Sequence, residues 1–328
     1  MGGELLAVLW PVLWPALPVM LVPLIAILTR VWMSWVRQLD AVAAELSDAS
    51  WDPVEGTSAS PTPLPSIRDA VARHDLSVVV PAYNEEERLP LFMDEALAYL
   101  CKRRDETRGH GDFTFEVIVV DDGSTDGTKD VAARYARKYS GDVVRCLQLR
   151  RNCGKGAAVR RGALASRGKF VLFADADGAT RFSDVDRLED AMRSLGGEGV
   201  VAGSRAHLQS SAAVARRSAL RNFLMHGFHA LVRFVAGVRN VKDTQCGFKL
   251  FSRDAARMLF ENCRLRRWAF DVELFYLAQR LSLPVKEVSV TWNEIPGSKV
   301  RMSGIASIAL ELFTCIVAYS FGIWQIHV

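Results

Sequence analysis

Two carboxylates separated by one residue are the most chemically specific feature of this sequence. Asp175 and Asp177 follow the apolar run at residues 170–174, and Gly178 comes next. In a turn, two carboxylates at this spacing can both face a hard divalent cation, which can in turn bridge the diphosphate of a nucleotide. Such pairs are frequent by chance, but the position after a buried-type run predicts a metal site at the end of a strand.

Two other polar segments also follow apolar runs. Residues 81–86 have the sequence PAYNEE, and residues 121–126 have the sequence DDGSTD. Residues of the second segment can form a turn and cap the following helix. These local roles do not account for the adjacent pair Asp121 and Asp122. We therefore expect both segments to contribute carboxylates to the same edge of a sheet.

A glycine-rich segment carries a lysine. Residues 152–157 have the sequence NCGKGA and open a predicted helix that also carries Arg160 and Arg161. Glycines allow a ligand to approach the backbone closely, and Lys155 supplies positive charge, so a phosphate site is one interpretation. The GxxxxGK[ST] spacing of the P-loop is absent. The alternative is a glycine turn before a solvated basic helix face.

Alternating apolar and amphipathic stretches predict the elements that position these residues. Strands are predicted at 76–81, 115–120, 143–149, 170–174 and 199–202, and helices at 89–101, 125–139, 156–166 and 184–195. This alternation is typical of βα units, and continuous apolar runs suit strands covered on both faces. Ligands of such sheets gather beyond the carboxyl ends of the strands, where this sequence becomes polar.

The first apolar segment predicts a membrane anchor. No charged residue occurs between positions 5 and 28, and about 20 apolar residues suffice to cross a bilayer. A cleaved signal peptide has a basic start and a shorter apolar region, whereas Glu4 precedes this run. Arg30 and Arg37 follow it, so the downstream chain is expected on the cytosolic side.

The last segment predicts a helix with a polar stripe. Ser303, Ser307, Glu311 and Thr314 recur at helical spacing in an otherwise apolar stretch. This pattern favours a helix that lies in the membrane interface or packs on protein, and a second membrane span is the alternative. The predicted organisation is an anchor at 1–37, a linker at 38–75, an α/β domain at 76–302 and a membrane-associated helix at 303–328.

The overall composition disfavours several other classes. The 328 residues include 41 basic and 37 acidic side chains, and this balance does not indicate nucleic-acid binding. The six cysteines show no CxxC pair and no regular spacing, so neither a disulfide framework nor a zinc site is predicted. Reduced thiols in a cytosolic compartment are expected.

A basic and apolar region in the second half predicts an acceptor site. Arg205, Arg216, Arg217 and Arg221 precede or begin the apolar stretch at 222–237. Positive charge beside an apolar helix suits a phosphate headgroup on a long apolar tail. An ordinary core helix with solvated arginines is the alternative.

Eight segments in this order resemble glycosyltransferase family 2, the inverting nucleotide-sugar transferases. They are VVVPAYNEEERLP, VIVVDDGSTDGT, RNCGKGAAVRRG, FADADGAT, GSR at 203–205, DTQCGFKLF, RWAFDVEL and IPGSKV. The resemblance covers residues 76–301. It implies the GT-A fold, a Rossmann-like, mostly parallel sheet flanked by helices.

The resemblance also implies roles for individual residues. Nucleotide-sugar contacts are implied for Pro81, Tyr83, Asn84, Glu85, Asp121, Asp122, Lys155, Asp175 and Ala176. Asp175 and Asp177 would hold Mg²⁺ or Mn²⁺ on the diphosphate. Arg205, Arg217 and Lys299 would contact the acceptor phosphate.

Two aspartates are candidates for the group that orients or deprotonates the acceptor. They are Asp243 and Asp271, and Asp271 resembles the position of the family's base. An N-cap role for Asp271 at the start of a helix at 272–280 is the alternative. A phosphate acceptor is already ionised near neutral pH, so a strong base is optional.

The family members that the sequence resembles most transfer glucose from UDP-glucose to dolichyl phosphate. The implied partners are therefore UDP-glucose, dolichyl phosphate and membrane lipid, and the implied location is the cytosolic face of the endoplasmic reticulum membrane. The segments at 243–251 and 267–274 favour this activity over transfer from GDP-mannose. A non-catalytic membrane protein that binds a nucleotide sugar is the alternative from another class.

Overall fold

One sheet organises the part of the chain that carries the polar segments. The computed structural model describes residues 29–30, 32–34, 36–37, 66–68, 71–208, 241–293, 295 and 303–327. Within them, the strands are β1 His74–Ala82, β2 Phe115–Asp121, β3 Val144–Gln148, β4 Gly168–Ala174, β5 Val200–Ser204, β6 Phe248–Ser252 and β7 Val285–Ser289. They lie in the order β3-β2-β1-β4-β6-β5-β7.

The sheet is mostly parallel, as predicted. β1 pairs in parallel with both β2 and β4, and β2 pairs in parallel with β3. β6 is inserted antiparallel between β4 and β5, and β7 pairs in parallel with β5. The five predicted strands are all present as β1 to β5. β1, β2 and β4 therefore end at one edge, where their polar segments meet.

Helices cover both faces of the sheet. They are α1 Leu89–Thr107, α2 Thr128–Tyr139, α3 Lys155–Leu164, α4 Val185–Ser194, α5 Arg253–Asn262, α6 Phe270–Arg280 and α7 Ser303–Ser320. Leu76, Val78 and Val80 of β1 share a buried cluster with apolar residues of α1, α2 and α4. On the opposite face α3 packs on β1 and β2, α5 packs on α3 and β4, and α6 packs on α5.

Close packing on that opposite face depends on a glycine. A Cβ at Gly162 of α3 would lie within 2.9 Å of methyl groups of Val79 and Val120. A larger residue at this position would push α3 away from the sheet. Gly162 therefore fixes the distance of α3 from the sheet, and Lys155 is the first residue of that helix.

The strand β6 was not predicted from the sequence. Lys249 lies in the middle of β6, yet the side chain is fully buried. A charged residue inside an apolar run argues against a buried strand unless the charge is paired. The partner of Lys249 comes from α6 and is described below.

Two residues of the predicted polar stripe on the carboxyl-terminal helix α7 face inward. Glu311 and Thr314 are buried, whereas Leu310 and Phe313 are 51% and 55% exposed. The Tyr319 hydroxyl donates to Oε1 of the buried Glu273 of α6 at 2.8 Å. The structure thus confirms that this helix packs on protein.

Some predictions concern other parts of the chain. The predicted amino-terminal span at residues 5–28, the basic and apolar region at 209–240 with Arg217, and Lys299 lie outside the described residues. In the part that is described, no helix has the length and apolar character needed to cross a membrane. The chain divides into two compact units, Met1–Ser47 and Asp48–Val328.

Candidate active site

A cavity of about 1000 Å³ opens at the carboxyl edge of the sheet. Residues from both halves of the chain line it, since the turns after β1 and β4 face the loop before β6 and the start of α6. The predicted site residues that line this cavity are Pro81, Tyr83, Asn84, Glu85, Asp122, Lys155, Asp175, Ala176, Asp177, Arg205 and Asp271. Sequence motifs that are distant along the chain thus meet in a single space.

The turn after β1 is fixed to the turn after β2. Asn84 adopts a left-handed conformation with φ of 53°, which asparagine tolerates better than most residues. Its side-chain Oδ1 accepts the N–H of Thr125 at 2.9 Å. Glu85 forms a bidentate ion pair with Arg88, and both N–O distances are 2.7 Å. Asn84 therefore shapes the cavity wall, and Arg88 balances the charge of Glu85.

The adjacent aspartates after β2 have different roles. Asp122 accepts the backbone N–H groups of Cys153 and Gly154 at 2.7 and 2.8 Å. Burial raises the pKa of Asp122 to about 6, although these two bonds oppose the rise. Asp121 does not line the cavity, and its Oδ1 accepts the Ser124 N–H at 3.0 Å. Asp122 thus anchors the glycine-rich loop. Asp121 instead binds within the turn after β2, away from the cavity lining.

The glycine-rich loop is not an open backbone cradle for phosphate, so the predicted phosphate contact of this segment rests on Lys155. The N–H of Gly154 donates to Asp122. The N–H groups of Gly156 and Ala157 donate to the carbonyls of Arg267 and Arg266 at 3.2 and 3.0 Å. These backbone donors are already used within the protein. The side chain of Lys155 is the part of this loop that offers charge to the cavity.

The two carboxylates after β4 both line the cavity. The Asp175 N–H donates to the Gly247 carbonyl at 2.9 Å, and a Cβ at Gly247 would overlap the Asp175 carboxylate. Asp177 accepts the Ala179 N–H through Oδ1 at 3.0 Å. Burial, together with the negative charge of Asp175, raises the pKa of Asp177. Two carboxylates thus lie close together on the cavity wall, as a cation site requires.

Lys155 contacts cavity residues from both halves of the chain. Its Nζ is 2.7 Å from Asp175 Oδ1 and lies 5.5 Å from the ring centre of Trp268. Burial works against the charge of Lys155, but the attraction of Asp175 and then of Asp271 outweighs burial and raises the pKa of the amine. Lys155 therefore stays charged, within reach of a phosphate that enters the cavity.

Asp271 faces the cavity from the first turn of α6 and pairs with Lys249. Asp271 Oδ1 accepts from Lys249 Nζ at 2.6 Å, and Asp271 is 4% exposed. Burial raises the pKa of Asp271, and the charges of Lys249 and Lys155 oppose that rise. The helix N-cap residue is Ala269, so the alternative N-cap role for Asp271 is wrong.

Asp243 has a different environment and does not line the cavity. Its two oxygens bind Arg205 through Nε at 2.8 Å and through Nη2 at 3.0 Å. Burial would raise the pKa of Asp243, but the Arg205 hydrogen bonds and charge outweigh burial and lower it. With both oxygens engaged by a guanidinium, Asp243 is a poor base. It instead aims Arg205 into the cavity, beside the ring of Trp292.

Several cavity residues had not been assigned a role from the sequence. They are Arg88, Gln245, Arg267, Trp268 and Trp292. Arg267 and Trp268 lie in the RWAFDVEL segment, which was used only for resemblance. Lys249 was missed in the same way within DTQCGFKLF. For all of these residues except Trp292, the available signal was their place within the quoted motifs, because none of them has a distinctive spacing of its own.

The carboxylates fit a divalent cation only in part. Among the described residues, no group of three or more His, Cys, Asp and Glu side chains is placed to hold a metal ion. Asp175 and Asp177 supply hard oxygen ligands on the cavity wall, so a cation there would complete its shell with diphosphate oxygens and water. This donor set suits a metal that arrives with a nucleotide.

The fold and this cavity define a class of enzyme, the α/β transferases that bind an activated nucleotide at the carboxyl edge of a sheet. A family model described as glycosyl transferase family 2 matches residues 77–260. Glucosyl-3-phosphoglycerate synthase from Mycobacterium tuberculosis, solved with UDP, has the same fold with a TM-score of 0.52 and 19% identity. That match covers 75% of this chain and 80% of the synthase.

Comparison with curated relatives shows which members of this family the chain is similar to. A dolichyl-phosphate β-glucosyltransferase of Drosophila melanogaster is 51% identical over 80% of each chain. The human protein of that name is 48% identical over 80% of this chain and 81% of its own, and the Saccharomyces cerevisiae one is 42% identical over 76% of each. The chain therefore belongs to glycosyltransferase family 2 and, within it, to the dolichyl-phosphate β-glucosyltransferases.

Proposed function

We propose that this enzyme transfers glucose from UDP-glucose to dolichyl phosphate, with inversion at the anomeric carbon and release of UDP. The observation that carries the proposal is the meeting of two charge groups in one cavity. The carboxylates Asp175 and Asp177 and the cationic groups of Lys155 and Arg205 all line this cavity, and Lys155 is paired with Asp175. A cation-bound nucleotide sugar and an anionic acceptor can therefore approach each other there.

On the donor side, Asp175 and Asp177 would hold Mg²⁺ or Mn²⁺ against the diphosphate. When bound, such an ion neutralises negative charge on the leaving diphosphate. Lys155 adds a second positive charge near the same carboxylates and binds Asp175 at 2.7 Å. Tyr83 and Asn84 line the cavity where the nucleoside would lie.

On the acceptor side, Arg205 and Arg267 offer positive charge to the lipid phosphate. Arg205 is held in position by Asp243, and planar guanidinium groups match the geometry of phosphate oxygens. The acceptor oxygen is ionised near neutral pH, so positioning rather than proton removal is the main requirement. Asp271 would orient the acceptor or the sugar from the opposite wall.

The reaction is an in-line displacement. An oxygen of the acceptor phosphate forms a bond to the anomeric carbon, while the bond from that carbon to the diphosphate breaks. The electron pair of the breaking bond stays with UDP, and the configuration changes from α to β. The fixed charges around the cavity favour this charge movement because they need not reorganise.

We also propose that the enzyme works at the cytosolic face of the endoplasmic reticulum membrane. The apolar face of α7, with Leu310 and Phe313 exposed, supports contact with membrane lipid. The apolar run at residues 5–28 is the proposed anchor. A water-soluble nucleotide sugar and a membrane-bound acceptor would then meet at the surface of the bilayer.

A donor comparison tests the proposal. The full chain is reconstituted in vesicles with dolichyl phosphate and is offered labelled UDP-glucose, GDP-mannose or UDP-N-acetylglucosamine in separate reactions. The expected result is a labelled lipid product from UDP-glucose alone. Exclusive use of GDP-mannose would identify a mannosyl transferase. Nucleotide-sugar binding without turnover on any polyprenyl phosphate would support the non-catalytic alternative.

A further inference from the structure

Lys249 is a buried cation that the proposed mechanism does not use. Its side chain is fully buried in the central part of the sheet, where β6 pairs with β4 and β5. Lys249 Nζ lies 5.5 Å from the ring centre of Phe173 and 5.8 Å from that of Phe275. An ammonium group in such apolar surroundings carries a large desolvation cost. A buried Lys249 ammonium group therefore requires an interacting partner that offsets this cost.

The contacts of Lys249 identify that partner. Its Nζ donates to Asp271 Oδ1 at 2.6 Å and to the Cys246 carbonyl at 2.5 Å. Cys246 and Asp271 both line the cavity, but Lys249 does not. The ammonium group therefore lies behind the cavity wall and joins two elements of that wall, the loop before β6 and the first turn of α6.

A second lysine nearby has a different task. Lys155 lines the cavity and binds Asp175 at 2.7 Å, whereas Lys249 binds Asp271. Each lysine is thus paired with one carboxylate, and substrate can reach Lys155 but not Lys249. If Lys249 served only to balance charge in the core, its partner would not need to face the cavity.

We propose that Lys249 is a positioning residue for glucosyl transfer, which holds the Asp271 carboxylate in its charged form and aims it into the cavity. Lys249 occupies one oxygen of Asp271 from behind, and this contact sets the direction of the carboxylate. Without the ammonium group, a carboxylate that is 4% exposed would be buried beside apolar rings with no counter-charge from β6. The inference rests on the proposed function, because it assigns Asp271 a task in that reaction.

A double-mutant cycle tests this proposal. Lys249→Gln removes the charge but keeps a hydrogen-bond donor, and Lys249→Arg keeps the charge. Steady-state glucosyl transfer is measured for each variant, alone and together with Asp271→Asn. A displacement of about 1 Å at a reacting group can cost about a hundredfold in rate. Lys249→Gln should therefore lower kcat by about that factor and leave the KM for UDP-glucose within about twofold, and Lys249→Arg should recover most of the loss.

The Asp271→Asn background separates positioning from folding. There Lys249→Gln should have no further effect on kcat, because Lys249 acts through the carboxylate. An equal loss of kcat in both backgrounds would show a structural role and overturn the proposal, as would full kcat in Lys249→Gln alone. If Lys249→Gln does not fold, the comparison of Lys249→Arg with wild type still decides, since a Lys249→Arg variant that folds but shows the full loss contradicts the role of charge.

Two controls distinguish this inference from the proposed function. Lys169→Gln changes an exposed lysine on β4 and should leave kcat unchanged. Wild-type enzyme that transfers no glucose would refute the proposed function itself. Active wild-type enzyme with additive losses in the cycle would refute only the role of Lys249.

Discussion

The donor and acceptor sides of the cavity are built in different ways. On the proposed donor side, Asp122 binds the backbone N–H groups of Cys153 and Gly154, in addition to the ion pairs Glu85–Arg88 and Lys155–Asp175. On the acceptor side, charged side chains bind each other, in the pairs Arg205–Asp243 and Lys249–Asp271. Backbone contacts fix the shape of a loop, whereas ion pairs fix the direction of a single side chain.

This difference has a consequence for substitutions. A donor-side change should alter the binding of nucleotide and cation together, because one loop positions several groups. An acceptor-side change should remove a single oriented charge and spare the donor. The predictions below test this contrast, beginning with the largest effect.

Asp177→Asn should have the largest effect on activity. The substitution removes one of two carboxylates that would hold the cation, and losing one electrostatic contact to a developing charge typically costs about 10²- to 10³-fold in kcat. A loss of about a thousandfold in glucosyl transfer is expected, with an unchanged thermal unfolding profile. Asp190→Asn, an exposed carboxylate on α4, is the matched control. Full activity of Asp177→Asn would remove the metal assignment.

Asp243→Asn should affect the acceptor and spare the donor. Truncating one partner of a buried, hydrogen-bonded charge pair costs about 2 to 5 kcal/mol, so kcat/KM for dolichyl phosphate should fall by about a hundredfold. The affinity for UDP-glucose, measured by calorimetry, should stay within about twofold. Asp254→Asn changes an exposed carboxylate of α5 and serves as control. Loss of UDP-glucose binding in Asp243→Asn would contradict the separation of the two sides.

Asp122→Asn should change how stability depends on pH. The pKa of Asp122 is raised to about 6 in the folded chain, so between about pH 4 and 6 the folded chain binds more protons than the unfolded chain. The free energy of unfolding of wild type should therefore fall, relative to Asp122→Asn, as pH rises through that window. The change is roughly 3 kcal/mol, since one pKa unit corresponds to about 1.4 kcal/mol.

Urea unfolding at pH 4 and pH 7 measures this difference. Asp105→Asn, an exposed carboxylate of α1, should show the same pH dependence as wild type. Parallel pH dependence of wild type and Asp122→Asn would show that Asp122 does not titrate in this range.

The smallest effect concerns the outer face of α7. A cysteine in place of Phe313, labelled with a fluorophore on the full chain in vesicles, should be quenched by brominated lipids about twofold more than free label. Leu91 is 67% exposed on α1, and the label at Leu91→Cys should not be quenched. Stability should change by less than about 0.5 kcal/mol, because Phe313 is 55% exposed. Equal quenching at both positions would contradict lipid contact by α7.

The sequence predicted the donor side well because its signals are local. The strands β1 to β5 lie in mainly apolar runs, and carboxylates follow β2 and β4 directly. The position of Asp122, Asp175 and Asp177 after these runs was therefore sufficient to place them at the cavity edge. Local sequence could not show which backbone N–H groups already donate hydrogen bonds within the protein. Asp122 and the carbonyls of Arg266 and Arg267 accept from backbone N–H groups that the sequence alone presents as free to bind phosphate.

The acceptor side could be predicted only as a set of candidates. Only the resemblance to the family favoured Asp271 over Asp243, because the partners of these residues are 22 and 38 residues away along the chain. The insertion of β6 antiparallel to its neighbours places Lys249 behind Asp271, and no pattern along the chain predicted that strand. Pairing across the sheet, rather than spacing along the chain, decides these roles.

The buried side chains of α7 and of the segment after it have a practical consequence for producing this protein. Deleting residues 303–328 as a dispensable hydrophobic tail would remove Tyr319, whose hydroxyl binds Glu273, and the buried ring of Trp324. Glu273 also accepts the N–H groups of Arg264 and Leu265 just before the cavity loop. A shortened chain would therefore leave a damaged catalytic domain, and detergents chosen to shield the exposed side of α7 are the better route to a soluble sample.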